Sequence, residues 1–391
     1  MKQLKPQLCF DTPREVILIK TSGLFTLIIG TAITINAQTM VQPHMQNFYL
    51  SIEQLNEFIV DKDDYLNDKN SDKIKTALED FNKKVIELKK ESMVKSDDMK
   101  FRFKMLSEGL NEAESTFKSG SKDYSFWVLK STLNNCFACH TQKGLGETNY
   151  TFSQNRKYDL YTQAEFLFLY RNYSQASKIF EQLLLEYPKN SINYDVIENS
   201  LQRLMFFHVR VLKDELKTLA LLDKILTNDK LPNFVRINII AWKKYLALKK
   251  FRLFESIKIK DADDLEDFMD TRNEVASNYK LAGQRYLIDL ETSTFLFSLL
   301  ENNGQKKLRP WVLYWLAFQE KDYRLSMFDQ STDYYLKECI ERYPKSSAAV
   351  KCYELYKEMT IDSYTGSRGT DIPPSVQDQL QKYEKMLKIK K

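Results

Sequence analysis

Four segments in the first part of the chain place apolar residues at helical spacing. Within each segment the apolar positions recur every three or four residues and charged residues lie between them, the pattern of a helix that buries one face. Polar connectors at 62–69, 91–98 and 118–122 separate the segments, as in an antiparallel four-helix bundle. The four stripes are Met45, Phe48, Ile52, Leu55 and Ile59; Ile74, Leu78, Phe81, Val85 and Leu88; Met99, Phe103, Leu106, Leu110, Ala113 and Phe117; and Phe126, Leu129, Leu133, Cys136 and His140.

After Tyr150 the helical pattern changes its organisation. Residues 158–189 match the tetratricopeptide repeat, which has a period of about 34 residues, and residues 328–344 end in a similar Arg-Tyr-Pro-Lys stop. The helices between these two segments show no regular 34-residue period. The region therefore predicts a degenerate α-solenoid, closed by a capping helix that carries Leu380. The alternative is a set of ordinary antiparallel helix pairs. Further helices are predicted at 194–212, 215–227, 233–250, 270–300 and 308–320, with a charged turn at 261–267.

Composition supports an all-α fold and excludes one partner class. The 391 residues include only 10 Gly and 9 Pro, too few turn formers for a chain rich in strands. The net charge is +5, of which the predicted signal peptide contributes +2, and the remaining charge of about +3 is too mild to predict nucleic-acid binding.

The chemistry of the chain is concentrated in Cys136-Phe137-Ala138-Cys139-His140. Cys-x-x-Cys-His is the attachment site of haem c, in which both thiols add to the porphyrin and the histidine becomes an axial iron ligand. The alternatives are a redox dithiol and half of a zinc site. A redox motif normally follows a strand in a βαβ unit, and none is predicted. Zinc would need two more ligands, and the other histidines, His44 and His208, are isolated.

The N-terminus is consistent with covalent haem attachment, which takes place outside the bacterial cytoplasm. A lead with four basic residues precedes the apolar run 24–35 and then Asn36-Ala37-Gln38. This order predicts a signal peptide over residues 1–37 and a periplasmic protein. The alternative is an uncleaved anchor, but the run is short for a membrane span of about 20 residues. No second apolar run suggests a membrane span after cleavage.

With its motif at the end of a fourth helix, the region of residues 40–147 resembles the cytochrome c′ family and its low-spin relatives. The resemblance implies a haem-binding four-helix bundle over residues 38–150. The repeat-like helices predicted above then form a second domain over residues 151–391. It also implies a sixth iron ligand near the start of the first helix, where Met45 lies. A vacant sixth site and ligation by His44 remain the alternatives. The basic residue that often follows the histidine is represented by Lys143, but Gly144 and Gly146 end the helix sooner than is usual in the family.

Two further cysteines, Cys339 and Cys352, flank a predicted helix corner at Pro344. Facing helices would bring them together, so they form either a disulfide or two buried thiols.

These features predict an exported monohaem c-type cytochrome that transfers electrons and docks redox partner proteins through its helical repeats. His140 is the expected proximal ligand, Cys136 and Cys139 the tethers, and Met45 the candidate distal ligand. The alternatives are a five-coordinate gas-binding or redox-sensing protein and a haem-containing scaffold for an exported complex. The chain is not expected to be an enzyme, since no other constellation of catalytic residues is present.

Overall fold

The computed structural model describes residues 37–89, 97–142, 144–148, 158–189, 193–247, 257–301, 306–321, 331–367 and 369–389. These ranges are almost entirely helical, which confirms the all-α prediction. The predicted signal peptide lies outside the described residues apart from Ala37. No helix within these ranges has the length and apolar character needed to cross a membrane. The helices are α1 Ala37–Ile59, α2 Lys62–Leu66, α3 Ser71–Lys89, α4 Asp97–Lys118, α5 Lys122–Gln142, α6 Leu160–Leu169, α7 Tyr173–Glu186, α8 Tyr194–Met205, α9 Glu215–Leu226, α10 Asn233–Ala247, α11 Ala262–Ser277, α12 Ala282–Glu301, α13 Arg309–Glu320, α14 Ser331–Arg342, α15 Ser347–Ser363 and α16 Pro374–Leu387, and the strands β1 Thr365–Gly366 and β2 Gly369–Thr370 form one antiparallel pair.

The four predicted stripes lie on α1, α3, α4 and α5. Helix α3 packs against both α1 and α4, and α4 packs along α5. Aromatic rings join the helices, since the centroid of Phe48 lies 5.8 Å from that of Phe81 and 6.5 Å from that of Phe103. The connector at 62–69, predicted as a polar turn, instead contains α2. This short helix buries Tyr65 completely, and its hydroxyl lies 2.8 Å from the Ser125 hydroxyl.

Helices α4 and α5 are in close contact at Gly109. A Cβ atom at this position would overlap the side chain of Thr132, which is buried and donates a 2.7 Å hydrogen bond to the Val128 carbonyl. A glycine is therefore required here by packing and not by its backbone angles.

We expect Gly109→Ala to destabilise the protein by about 1–2 kcal/mol, because the added methyl group forces the two helices apart. Helix propensity alone predicts the opposite sign, a gain of about 1 kcal/mol. Urea unfolding measures the difference. Gly146→Ala is the control, since a Cβ there meets nothing within 4 Å. An unchanged or raised stability of Gly109→Ala would contradict the close contact.

The helices after residue 158 follow the predicted order with two differences. The helix predicted at 194–212 is α-helical only to Met205 and continues as a π-helix over Phe206–Leu212. The helix predicted at 270–300 is two helices, α11 and α12, and the charged turn at 261–267 is the start of α11. The side chain of Asp261 caps this helix by accepting from the Asp264 N–H at 3.0 Å. Acidic residues in a first turn favour a helix N-terminus, which explains the earlier start.

Two apolar cores run through the described residues, and α4 contributes to both. Phe103 and Leu106 belong to a core that joins α1–α5 to α6–α10 and α12. Phe101 and Met105, on another face of α4, belong to a core shared with α11–α16. Apolar packing is thus continuous between the helices before and after residue 150, and the division into two domains at that residue stays a prediction.

Cys339 and Cys352 form a disulfide between α14 and α15, with their Cα atoms 6.4 Å apart. Both side chains are completely buried. Of the two alternatives for these residues, the structure has the disulfide.

Candidate functional site

The motif occupies the C-terminal end of α5. No Gly or Pro interrupts the helix, which ends at Gln142, and Gly144 beyond it has a left-handed φ of 57° that glycine adopts without strain. The N–H groups of Gly144 and Leu145 cap the helix by donating to the carbonyls of Thr141 and His140, at 2.9 and 3.0 Å. The glycine that follows the motif therefore holds His140 in the last turn.

Cys136 and His140 are four residues apart, so they share one face of α5, with Cys139 beside them. Neither cysteine is in a disulfide, and both are partly buried. Cys136 packs against the first core. Burial raises the pKa of the Cys136 thiol to about 12, with a smaller contribution from Cys139, so the group is a neutral thiol at physiological pH.

The imidazole of His140 is also neutral. Burial lowers the pKa of His140 to about 3, and the positive charges of Arg171 and Arg102 lower it further. Its Nδ1 atom is buried and has no hydrogen-bond partner among the described residues. Neutral imidazole is the form that binds metal ions.

Three other parts of the chain meet at the motif. Arg102 comes from α4 and acts on His140, and Tyr49 comes from α1. The pKa of Tyr49 is raised mainly by burial, and Cys136 makes a smaller contribution. The turn between α6 and α7 supplies Arg171 and Tyr170. The ring of Tyr170 lies 4.9 Å from that of Tyr49. Sequence analysis did not find these residues, because nothing in their local pattern indicates that they face α5.

On another side of α5, Phe137 packs against the helix pair that follows. Its ring centroid lies 5.6 Å from that of Phe168 on α6, and the guanidinium of Arg203 lies over it at 4.5 Å. Arg203 is almost completely buried and donates two 2.8 Å hydrogen bonds to the Glu165 carboxylate. The motif is therefore held between α4 and the α6–α8 region.

The side chains of Met45 and His44, and the whole of Lys143, lie outside the described residues. The backbone at Met45 is in α1, one turn before Tyr49, and so near the motif end of the helices. Met99, in the first turn of α4, is partly buried against the first core. His208 lies on the π-helix that packs against α5, near Asp214 and Glu181.

In the part of the chain that the structure describes, no three His, Cys, Asp or Glu side chains converge as they would around a metal ion. Compared with protein-family models, with curated proteins and with solved structures, the chain matches none of them.

Proposed function

We propose that this protein is a monohaem c-type cytochrome that transfers electrons outside the cytoplasm. The observation that carries the proposal is the joint position of two unpaired thiols and a neutral imidazole on one side of α5. Cys136 and Cys139 would tether haem c through thioether bonds, and His140 would bind the iron.

The surroundings of the motif fit this group. His140 has a buried Nδ1 without a partner, Cys136 lies against apolar side chains, and the charges of Arg102 and Arg171 suit a cofactor that carries two carboxylates. When bound, haem supplies a one-electron iron(III)/iron(II) couple. The chain's own residues would hold the cofactor, and the charges of Arg102 and Arg171 would set the electrostatic field around it.

The position of the motif argues against a redox dithiol. Reactive Cys-x-x-Cys thiols are activated at helix N-termini, where the helix dipole stabilises the thiolate. In this chain the two cysteines lie in the last two turns of α5, where the dipole opposes a negative charge. The element before α5 is a helix and not the strand of a βαβ unit.

The architecture proposed with this function is a haem-binding bundle of α1, α3, α4 and α5, followed by tetratricopeptide-like repeats that dock redox partner proteins. The α6–α7 hairpin supports a repeat here, because the buried Ala164, Tyr173, Ala176 and Phe180 lie at the repeat's conserved offsets. The disulfide between Cys339 and Cys352 supports a periplasmic location, since disulfides persist in oxidising compartments.

The experiment that tests the function is an optical spectrum of the ferric and ferrous protein, purified after expression with a haem-ligation system. We expect the spectrum of one low-spin haem c. A protein that carries no haem would overturn the proposal. A high-spin spectrum would favour the gas-binding alternative.

We expect Met45→Ala to change that low-spin spectrum to high-spin and to open the iron to carbon monoxide, because the Met45 thioether would be the sixth ligand on this proposal. Absorption spectra with and without carbon monoxide measure both effects. Met99→Ala is the matched control, since it removes a second thioether from the same end of the helices and should leave the spectrum low-spin. The reverse result, with Met99 required and Met45 dispensable, would transfer the ligand role to α4.

A further inference from the structure

The turn between α6 and α7 is fixed against the motif region from two sides. The N–H of Thr148, in the segment after α5, donates to the Arg171 carbonyl at 3.1 Å. From α1, Asn56 donates to the Tyr170 hydroxyl at 3.2 Å. The backbone of Arg171 is left-handed, with φ at 62°, an uncommon conformation for a residue other than glycine. The turn thus holds Arg171 in an unusual backbone conformation beside α5.

The guanidinium of Arg171 lies among groups of the motif region. Its charge acts on Tyr49, on Tyr173 and on His140. Its Nε atom is buried and has no hydrogen-bond partner among the described residues. The carboxylate of Glu147, which follows the motif, accepts from the Ser174 hydroxyl and is exposed. The same side chain hydrogen-bonds Tyr49, but its buried Nε donor still lacks an acceptor, and a carboxylate that accepts from parallel N–H groups would provide one.

A covalently bound haem brings such an anion. Haem held by thioether bonds at Cys136 and Cys139 would bring two propionates that need neutralising. Arginine binds a carboxylate through parallel N–H groups, which gives both charge compensation and orientation.

We propose that Arg171 is a positioning residue that binds a haem propionate, so that the first repeat-like hairpin forms part of the haem site. This inference rests on the proposed function and adds that residues beyond 150 complete the cofactor's surroundings.

The test compares the reduction potential of the full-length, haem-loaded wild-type protein with that of Arg171→Gly. Glycine adopts the left-handed backbone without strain, so the variant removes the charge and keeps the turn. Without the guanidinium, the propionate's negative charge is no longer compensated and favours iron(III). We expect the potential to fall by an amount that corresponds to a tenfold shift of the ferric–ferrous equilibrium, 59 mV for a one-electron couple.

Lys388→Gly is the matched control, because Lys388 is another cation with a left-handed backbone, at φ 55°, and lies beyond α16. Its potential should equal that of the wild-type protein. Arg171→Lys keeps the charge and should restore most of the potential, which a merely structural role of the turn does not predict. Arg171→Asn also tolerates the left-handed backbone, and it replaces the glycine variant if that protein does not fold.

The outcomes separate the two proposals. Covalent haem with the same potential in wild-type protein and Arg171→Gly overturns the role of Arg171 and leaves the function standing. A lowered potential in Arg171→Gly that Arg171→Lys does not restore overturns the charge-based role as well. A wild-type protein without covalent haem overturns the function, and the role of Arg171 with it.

Discussion

A protein in which alanine replaces both Cys136 and Cys139 is expected to lose all its haem to acidic acetone, while the wild-type protein keeps its haem in the precipitate. Thioether bonds survive the acid, whereas the bond between His140 and iron does not. The effect is all-or-none, because no other cysteine lies near α5 within the described residues. The measurement is the absorbance of the acetone extract and of the redissolved protein.

The control is a variant with serine at both Cys339 and Cys352. It also removes two cysteines, and the disulfide between α14 and α15 with them, but it should keep covalent haem. The covalent assignment is wrong if haem leaves the wild-type protein, or if it stays bound to the Cys136→Ala, Cys139→Ala protein.

Replacing Arg203 by methionine is expected to lower the free energy of unfolding by about 3 kcal/mol. Removal of one partner from a buried ion pair leaves the other charge uncompensated, which costs about 3–5 kcal/mol. The lower end applies because the side chain of Glu165 remains 21% exposed. The substitution also removes the contact between the guanidinium and the ring of Phe137, a residue of the motif. Denaturant unfolding measures it.

Two further variants make this result specific. Methionine at both Arg203 and Glu165 should recover much of the stability, since no charge is then left unpaired. Lys62→Met breaks an ion pair with Asp123 in which both side chains are more than half exposed, and should cost less than about 1 kcal/mol. Equal losses for Arg203→Met and Lys62→Met would show that burial of the Arg203 pair has no energetic consequence.

Periodicity predicted most of the helices because each one buries its own apolar stripe. Periodicity failed to locate helix boundaries where one apolar pattern is compatible with either one long helix or two shorter ones. The apolar spacing around 270–300 continues through the break between α11 and α12, and only the cap at Asp261 marks where the first of these helices begins. The π-helix over Phe206–Leu212 keeps a helical stripe and so leaves no mark on the sequence.

The motif was visible in the sequence because its chemistry depends on residues within one helical turn. The residues around it were not, since Arg102 and Arg171 lie 38 positions before and 31 positions after His140 and reach it only through packing. Arg171 lies in the turn of a repeat-like hairpin, a position that usually faces solvent. Arg171 lies at the site because its turn contacts both α1 and the segment after α5.

The position of the α6–α7 hairpin beside α5 has a consequence for the order of maturation. On the proposed function, an attachment enzyme must reach the sulfur atoms of Cys136 and Cys139 before the hairpin packs against Phe137 and the segment after α5. A chain exported from its N-terminus presents α5 before residues 158–189 have followed, and helices that emerge first also fold first. If the proposed function holds, haem would have to be attached in the interval between the arrival of α5 and the packing of the hairpin against it.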